Sequence, residues 1–424
     1  MSGAPKRLTL LDCVGLGING IIGTGIFLLP AKVFGKSGGM SWAAWLAIGG
    51  LCLLVGLCFC EASGRADRNG GPLLYAREAF GRWIGFGVGW MSLASAVFSY
   101  GAVARGFGRN LSYLVPALQH TRPQIALALV VIFGLAALNY RGVKPGALVS
   151  DFFSGAKLVP LLLFVAVGLF FVDWHRLALT PPAGETRLEA IKVGGLAALF
   201  ACTGFEYVPV PAGETDNPRR NVPLALFGAL AGSILLYTLV QIVFMGTHPS
   251  PASADKPLAE AAGAFAGAWG GRFVAAGSII SSFGYLTGVA LVAPRYLSSL
   301  GENGDLPGFF ARAHPRFGTP FVAIGLTALT CSGMAVFADF DRLSDLGNVA
   351  VFGQYVPTCL AVLVLRRTRP ASGFVLPLGP TIPLLATLGC LVFLNGIQRA
   401  DAIFALWTLA VGLGVHALYR LWRR

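Results

Sequence analysis

Two apolar stretches of this chain hold residues that a continuous membrane helix would avoid. GLGINGIIGTGIFLLP (15–30) sets Gly15, Gly17, Gly20, Gly23 and Gly25 within eleven residues. Glycine costs about 1 kcal/mol per helix position relative to alanine, so Ile22 to Gly25 is expected to be unwound. LAALFACTGFEYVPVPAGETDNPRR (196–220) sets Thr203-Gly204 beside Glu206 and follows with Pro209 and Pro211. A half-helix beginning near Gly25 would present unpaired N–H groups at its positive end, which suits a carboxylate. Gly23 and Gly25 would admit a ligand close to the backbone, and Thr24 adds a hydroxyl between them. A helix ending between Phe200 and Thr203 would leave carbonyls that suit an ammonium group. The two ends together describe a site for a zwitterionic α-amino acid. The alternative is that the glycines only permit close helix packing.

Two ionisable residues stand in the same apolar surroundings. Lys157 lies between FFSGA (152–156) and LVPLLLFV (158–165). A charge at membrane depth marks a functional position by default; the alternative is an ammonium that snorkels to the interface near Asp151. Glu206 is either a proton-linked group or a structural carboxylate bonded to nearby backbone. Glu214, Asp216, Arg219 and Arg220 read as a gate of ion pairs or as a solvated loop, and Glu61 and Asp12 near span ends are similarly open.

The elements that must position these residues follow from composition. The chain has 424 residues, 55% hydrophobic and 12% charged, with mean hydropathy +0.70. A soluble domain holds roughly 25% charged residues, so the expected class is an all-α polytopic membrane protein. At about 20 apolar residues per crossing, twelve spans are expected: 11–34, 41–63, 83–104, 124–140, 146–172, 190–209, 224–246, 272–299, 320–338, 344–365, 379–397 and 402–420. The polar connections are 64–82, 173–189, 210–223, 248–270 and 300–319. The net charge of +13 is spread between the apolar segments, which argues against nucleic acid. Its bias places both termini in the cytoplasm. The first apolar stretch runs on past 30 without a cleavage site and reads as a retained span.

The interrupted segments are spans 1 and 6. Five spans per half force opposite orientations, so 11–172 and 190–365 read as a LeuT-like 5+5 inverted repeat within one transporter domain, with 379–420 appended. The eight cysteines show no redox or zinc spacing and the five histidines are scattered, so no metal or cofactor is expected. No polar cluster suggests an enzyme.

Several segments, in order, resemble the amino acid–polyamine–organocation superfamily: GIIGTGIFLLP (20–30), RNGGPLLYAREAFG (68–81), NYRGVKPGA (139–147), GFE (204–206) with ETDNPRRNVP (214–223), and FGYLTG (283–288) with APRYLSSLGENGDLP (293–307). The resemblance implies a secondary transporter of amino acids that works by alternating access in the plasma membrane. It implies that Gly23, Thr24 and Gly25 bind the substrate carboxylate and that Ile21 and Ile22 contact substrate. Phe200 would be an aromatic gate. Cys202, Thr203 and Gly204 would form the unwound part of span 6, with Glu206 beside it. Lys157 falls where some relatives place a lysine in lieu of sodium. Thr287 stands where the family often has asparagine. Gly20 and Phe200 replace the asparagine and tryptophan of guanidinium carriers, which favours neutral amino acids. The expected activity is proton-coupled symport; exchange, transport of cationic amino acids or polyamines, and amino acid sensing are the alternatives. Residues 105–123 contain no cysteine, so no disulfide-linked heavy chain is expected as a partner.

Overall fold

The computed structural model describes residues 9–65, 71–142, 147–208, 215–370 and 374–422, without the side chains of 147–152, 154 and 207. The helices, in chain order, are α1 (Leu10–Ile21), α2 (Gly25–Ser37), α3 (Ser41–Ser63), α4 (Gly71–Phe80), α5 (Arg82–Leu111), α6 (Thr121–Tyr140), α7 (Ala147–Gly168), α8 (Arg187–Cys202), α9 (Pro218–Thr247), α10 (Pro257–Glu302), α11 (Phe321–Phe337), α12 (Phe340–Thr368), α13 (Thr381–Leu394) and α14 (Arg399–Trp422). Among the described residues, seven helical runs are long and apolar enough to cross a membrane, and four shorter helices are apolar. The chain is an integral membrane protein.

Sidedness separates the helices. Almost all of α5 is buried, whereas α6 and α14 leave most of their apolar side chains partly or wholly exposed. A hydrocarbon surround solvates such faces at no cost, and water would not. The interior is built on α1, α2 and α8, packed by α3, α5, α9, α10 and α12. Trp45, Phe59, Tyr237, Phe244 and Tyr355 are its largest wholly buried aromatic side chains together with Phe27, Phe86 and Phe205.

Two expectations for the connections are corrected. Residues 64–82 contain a helix, α4, which buries Leu73, Tyr75 and Ala76 and packs on α5 and α12. Its apolar face is too short to register as a span. Residues 248–270 are not all connection either, because α10 begins at Pro257 and bends at Gly267 (φ 68°). Its first segment buries Leu258, Ala261 and Ala262, a face too short and too rich in alanine to stand out as a span. The span expected at 190–209 is α-helical only as far as Cys202, and a single 3-10 turn follows at Phe205–Tyr207.

Charges gather at the two ends of the bundle. Asp12 closes a capping box with Thr9 at the start of α1. At that same end the wholly buried Glu61 carboxylate binds Arg65 at 2.9 Å and Arg366 at 2.6 Å and accepts the Leu376 N–H at 2.9 Å. Asp305, also wholly buried, holds Arg77 and Arg82 at 2.9 and 2.7 Å. At the opposite end, Lys32 of α2 meets Asp345 at 2.8 Å, and Arg109 of α5 joins Asp255 and Asp341 at 2.9 Å each. Removing one member of a buried ion cluster leaves the rest uncompensated and costs about 3–5 kcal/mol. Glu61→Gln is therefore expected to lower the thermal midpoint of the detergent-solubilised protein by several degrees. A midpoint within a degree of wild type would show that Arg65 and Arg366 are held by other groups.

Candidate functional site

Helix α1 stops where its glycines let it. Ile22 leaves the helix (φ −81°, ψ 100°), and α2 restarts at Gly25 after Thr24. The carbonyls released there are taken by three other helices. Lys157 of α7 donates to Asn19 O at 3.2 Å, Asn19 Oδ1 at 2.6 Å and Ile22 O at 2.7 Å. Tyr237 of α9 donates to Ile21 O at 3.2 Å. Ser281 of α10 stands 3.3 Å from both Ile22 O and Gly23 O. Asn19 O, Ile21 O, Ile22 O and Gly23 O at the negative end of α1 thus each meet a donor from another helix, as buried backbone requires.

Lys157 does not snorkel. Its side chain is wholly buried, and its three protons point to three oxygens. Among the described residues no carboxylate pairs with it; its charge is balanced by carbonyl dipoles at a helix C-terminus. The Asp151 side chain, its alternative partner, lies outside the described residues.

The glycines of the first break divide by role. A Cβ on Gly25 would stand 2.8 Å from Ala201 Cβ, so Gly25 lets the start of α2 abut the end of α8. This is the packing reading. Gly23 lies beneath the Tyr285 ring, 3.0 Å from where a Cβ would be. The Thr24 hydroxyl donates to Ser282 Oγ at 2.6 Å, and Ser282 in turn donates to Ser278 O at 2.6 Å. Ile21 and Ile22 are buried.

The second break is smaller. Thr203 is extended and its hydroxyl closes back on Phe200 O at 2.8 Å. Gly204 turns left-handed (φ 104°), a conformation open mainly to glycine. Its N–H donates to Glu206 Oε2 at 2.8 Å, and the Tyr355 hydroxyl reaches the same oxygen at 3.4 Å. Glu206 thus takes the place of the structural carboxylate, bonded to the backbone of its own turn. A Cβ on Gly204 would lie 2.1 Å from Gly20 O, so the two breaks touch. Cys202 lies against Cys52. Phe200 meets Phe340 edge-on with centroids 5.7 Å apart, on the side of the Lys32 and Arg109 ion pairs.

A cavity of about 680 Å³ leads to the first break from the end that carries the start of α1. Asn19, Gly20 and Tyr285 line its inner part, and Arg295, Ser299 and Glu302 lie along α10 further out. The structure therefore brings Ile21, Ile22, Gly23, Thr24, Gly25 and Lys157 into one cluster, and Phe200, Cys202, Thr203, Gly204 and Glu206 into a second that adjoins it. Pro209, Pro211 and Glu214 lie outside the described residues, and Asp216, Arg219 and Arg220 are exposed at the start of α9. Thr287 bonds to Gly284 O of its own helix at 2.7 Å.

Sequence reasoning overlooked Asn19, Tyr237, Ser281, Ser282 and Tyr285. The Ser281-Ser282 pair directly precedes the FGYLTG motif, and Asn19 is the one amide within the glycine run. Both were signals available in the sequence. Tyr237, inside an apolar span, gives none.

A lipid-facing helical bundle with a cavity ending at paired helix interruptions is the architecture of a membrane transporter. The chain belongs to the amino acid permease family, whose model matches residues 8–417. It is 28% identical over 440 residues to the methylthioribose transporter of Bacillus subtilis, covering 98% of this chain and 93% of that protein. It is also 28% identical over 442 residues to the serine/threonine exchanger SteT of the same organism, covering 100% and 98%. The branched-chain amino acid permease BcaP of that organism is 24% identical over 435 residues, covering 98% and 93%. The chain is a transporter and not an enzyme.

Proposed function

We propose that this protein is a secondary active transporter that moves a neutral amino acid together with a proton across the plasma membrane. It would do so by alternating access through twelve spans, with 11–172 and 190–365 as inverted halves, 379–420 appended and both termini cytoplasmic. Gly23, Thr24 and Gly25 would meet the substrate carboxylate. Ile21, Ile22, Phe200, Cys202, Thr203 and Gly204 would surround the rest of the substrate, and Lys157 and Glu206 would respond to protons.

The observation that carries this reading is the Lys157 ammonium, held on three oxygens at the break of α1. A fixed internal cation there ties the break together without a bound metal ion, and a lysine can gain and lose a proton where sodium can only bind and leave. SteT, BcaP and the methylthioribose transporter are named for neutral solutes, which favours a neutral substrate over the cationic amino acids for which two vacuolar relatives of Arabidopsis thaliana are named. A second reading, obligatory exchange, is favoured by the 28% identity to a protein named an exchanger.

Purified protein in liposomes distinguishes them. Uptake of labelled alanine, serine, threonine or leucine, but not of arginine, is expected to rise severalfold with an inward proton gradient and to need no internal substrate. Uptake that depends on internal amino acid and ignores the gradient would establish exchange instead.

A further inference from the structure

The Lys157 ammonium is buried, yet one of its three ligands borders the cavity that opens at the α1 end of the bundle. Asn19 accepts from Lys157 Nζ through Oδ1 at 2.6 Å, the shortest of the three contacts, and the same residue lines the cavity. The other two acceptors, Asn19 O and Ile22 O, are backbone atoms fixed by the break. Asn19 therefore touches both the ammonium and the cavity.

That side chain has space on the cavity side and a defined seat on the other. Gly284 of α10 leaves the seat open: a Cβ there would stand 3.3 Å from Asn19 Oδ1 and 3.2 Å from Phe153 Cβ. Towards the cavity, a Cβ at Gly288 would meet nothing within 4 Å, and the volume of about 680 Å³ is many times that of a carboxamide. Seated, the carboxamide completes the coordination of Nζ. Swung out, it frees one donor position that a water molecule can fill.

We propose that Asn19 is a plug between Lys157 and the cavity, whose rotation admits water to the ammonium and lets its proton leave on that side. In the step, one N–H bond of the ammonium breaks, its electron pair stays on Nζ, and the proton passes to water to give a neutral amine and hydronium. The proposal deepens, and rests on, the reading of Lys157 as the coupling group. Asn19 would act through Lys157 and is a positioning residue.

The groups that face Lys157 leave Asn19 in this position. From α1 come the Asn19 and Ile22 oxygens, while Asp12 is engaged with Thr9 at the far end of that helix. From α9 comes the Tyr237 hydroxyl, on the neighbouring Ile21 O. From α10 come Ser281, and Tyr285 beside Gly23. On α7 itself, Asp151 is the nearest acid in sequence and its side chain is not described. Glu206 lies across the Gly20–Gly204 contact and is held by the Gly204 N–H. Arg295 and Glu302 line the cavity further along α10, eleven or more residues from Gly284 and so about 16 Å or more away along the helix.

The test reads Lys157 directly in the full-length protein. A small membrane-permeant imidoester is added to wild type, Asn19→Ala and Asn19→Asp in liposomes, and amidination of Lys157 is followed by peptide mass spectrometry. Losing one charge-assisted hydrogen bond is expected to speed labelling of Asn19→Ala by roughly tenfold or more. In the same variant the midpoint of the pH profile of uptake should move to lower pH, because only the protonated amine needs the missing oxygen. Asn19→Asp, nearly isosteric and anionic, should label no faster than wild type and move the midpoint the other way. Gly284→Ala, which crowds the seat without touching Lys157, should label faster than wild type and so covers failure of Asn19→Ala to fold. Labelling of Asn19→Ala and Gly284→Ala within twofold of wild type would overturn the plug, whatever uptake does. Wild-type uptake that ignores a proton gradient would overturn the coupling role of Lys157, while the labelling rates would still decide whether Asn19 shields it.

Discussion

Lys157→Ala is expected to reduce uptake by about two orders of magnitude while leaving a protein that still purifies from the membrane. The substitution removes the donor for Asn19 O, Asn19 Oδ1 and Ile22 O together. Leaving a buried acceptor without its donor costs about 1–3 kcal/mol, and each 1.4 kcal/mol is a factor of ten in an equilibrium. The loss falls on the break and not on the core, because Tyr237 and Ser281 still tie Ile21 O, Ile22 O and Gly23 O to α9 and α10. The bundle should therefore hold while the break loses its geometry. Lys157→Arg should not rescue, since a planar guanidinium is too large for a site shaped to a compact ammonium. The measurement is initial uptake rate against pH in liposomes, alongside the thermal midpoint of the purified variant. Uptake within twofold of wild type with an unchanged pH profile would remove Lys157 from the mechanism.

How far the sequence revealed this arrangement depended on the range of the interaction. The breaks were legible at Ile22 to Gly25 and after Cys202, because glycine density and a Thr-Gly pair act on the local backbone. The all-helical, apolar character was legible because hydropathy is a property of a window. Helix α4 and the first part of α10 were not, since the first is only ten residues long and the apolar face of the second is narrow and rich in alanine. Lys157 stood out as a buried charge, but what it binds is 135 to 138 residues away in sequence. No spacing rule reaches that far. Glu206 shows the reverse case. It stood out as an acid at membrane depth, and its main partner is the Gly204 N–H two residues away, a contact that shapes the turn itself. The proposed proton response at Glu206 would therefore act through the turn it closes.

The same turn makes Gly204 a position where a single methyl group should do heavy damage to the fold. Gly204→Ala meets two independent penalties. At φ 104° the backbone lies where residues with a Cβ are strained, at about 1–3 kcal/mol. The new Cβ would also stand 2.1 Å from Gly20 O, and a backbone oxygen cannot rotate aside. Relief requires α1 and the end of α8 to separate. That separation would pull Gly204 N–H from Glu206 and shift Gly20, the neighbour of Asn19. Destabilisation should therefore exceed about 3 kcal/mol, read as a thermal midpoint many degrees below wild type and little or no uptake. Gly288→Ala is the matched control, since its Cβ would meet nothing within 4 Å and should leave the midpoint nearly unchanged. Equal midpoints for the two variants would mean that the breaks of α1 and α8 are not in contact, and that proton response at Glu206 has no direct route to Lys157.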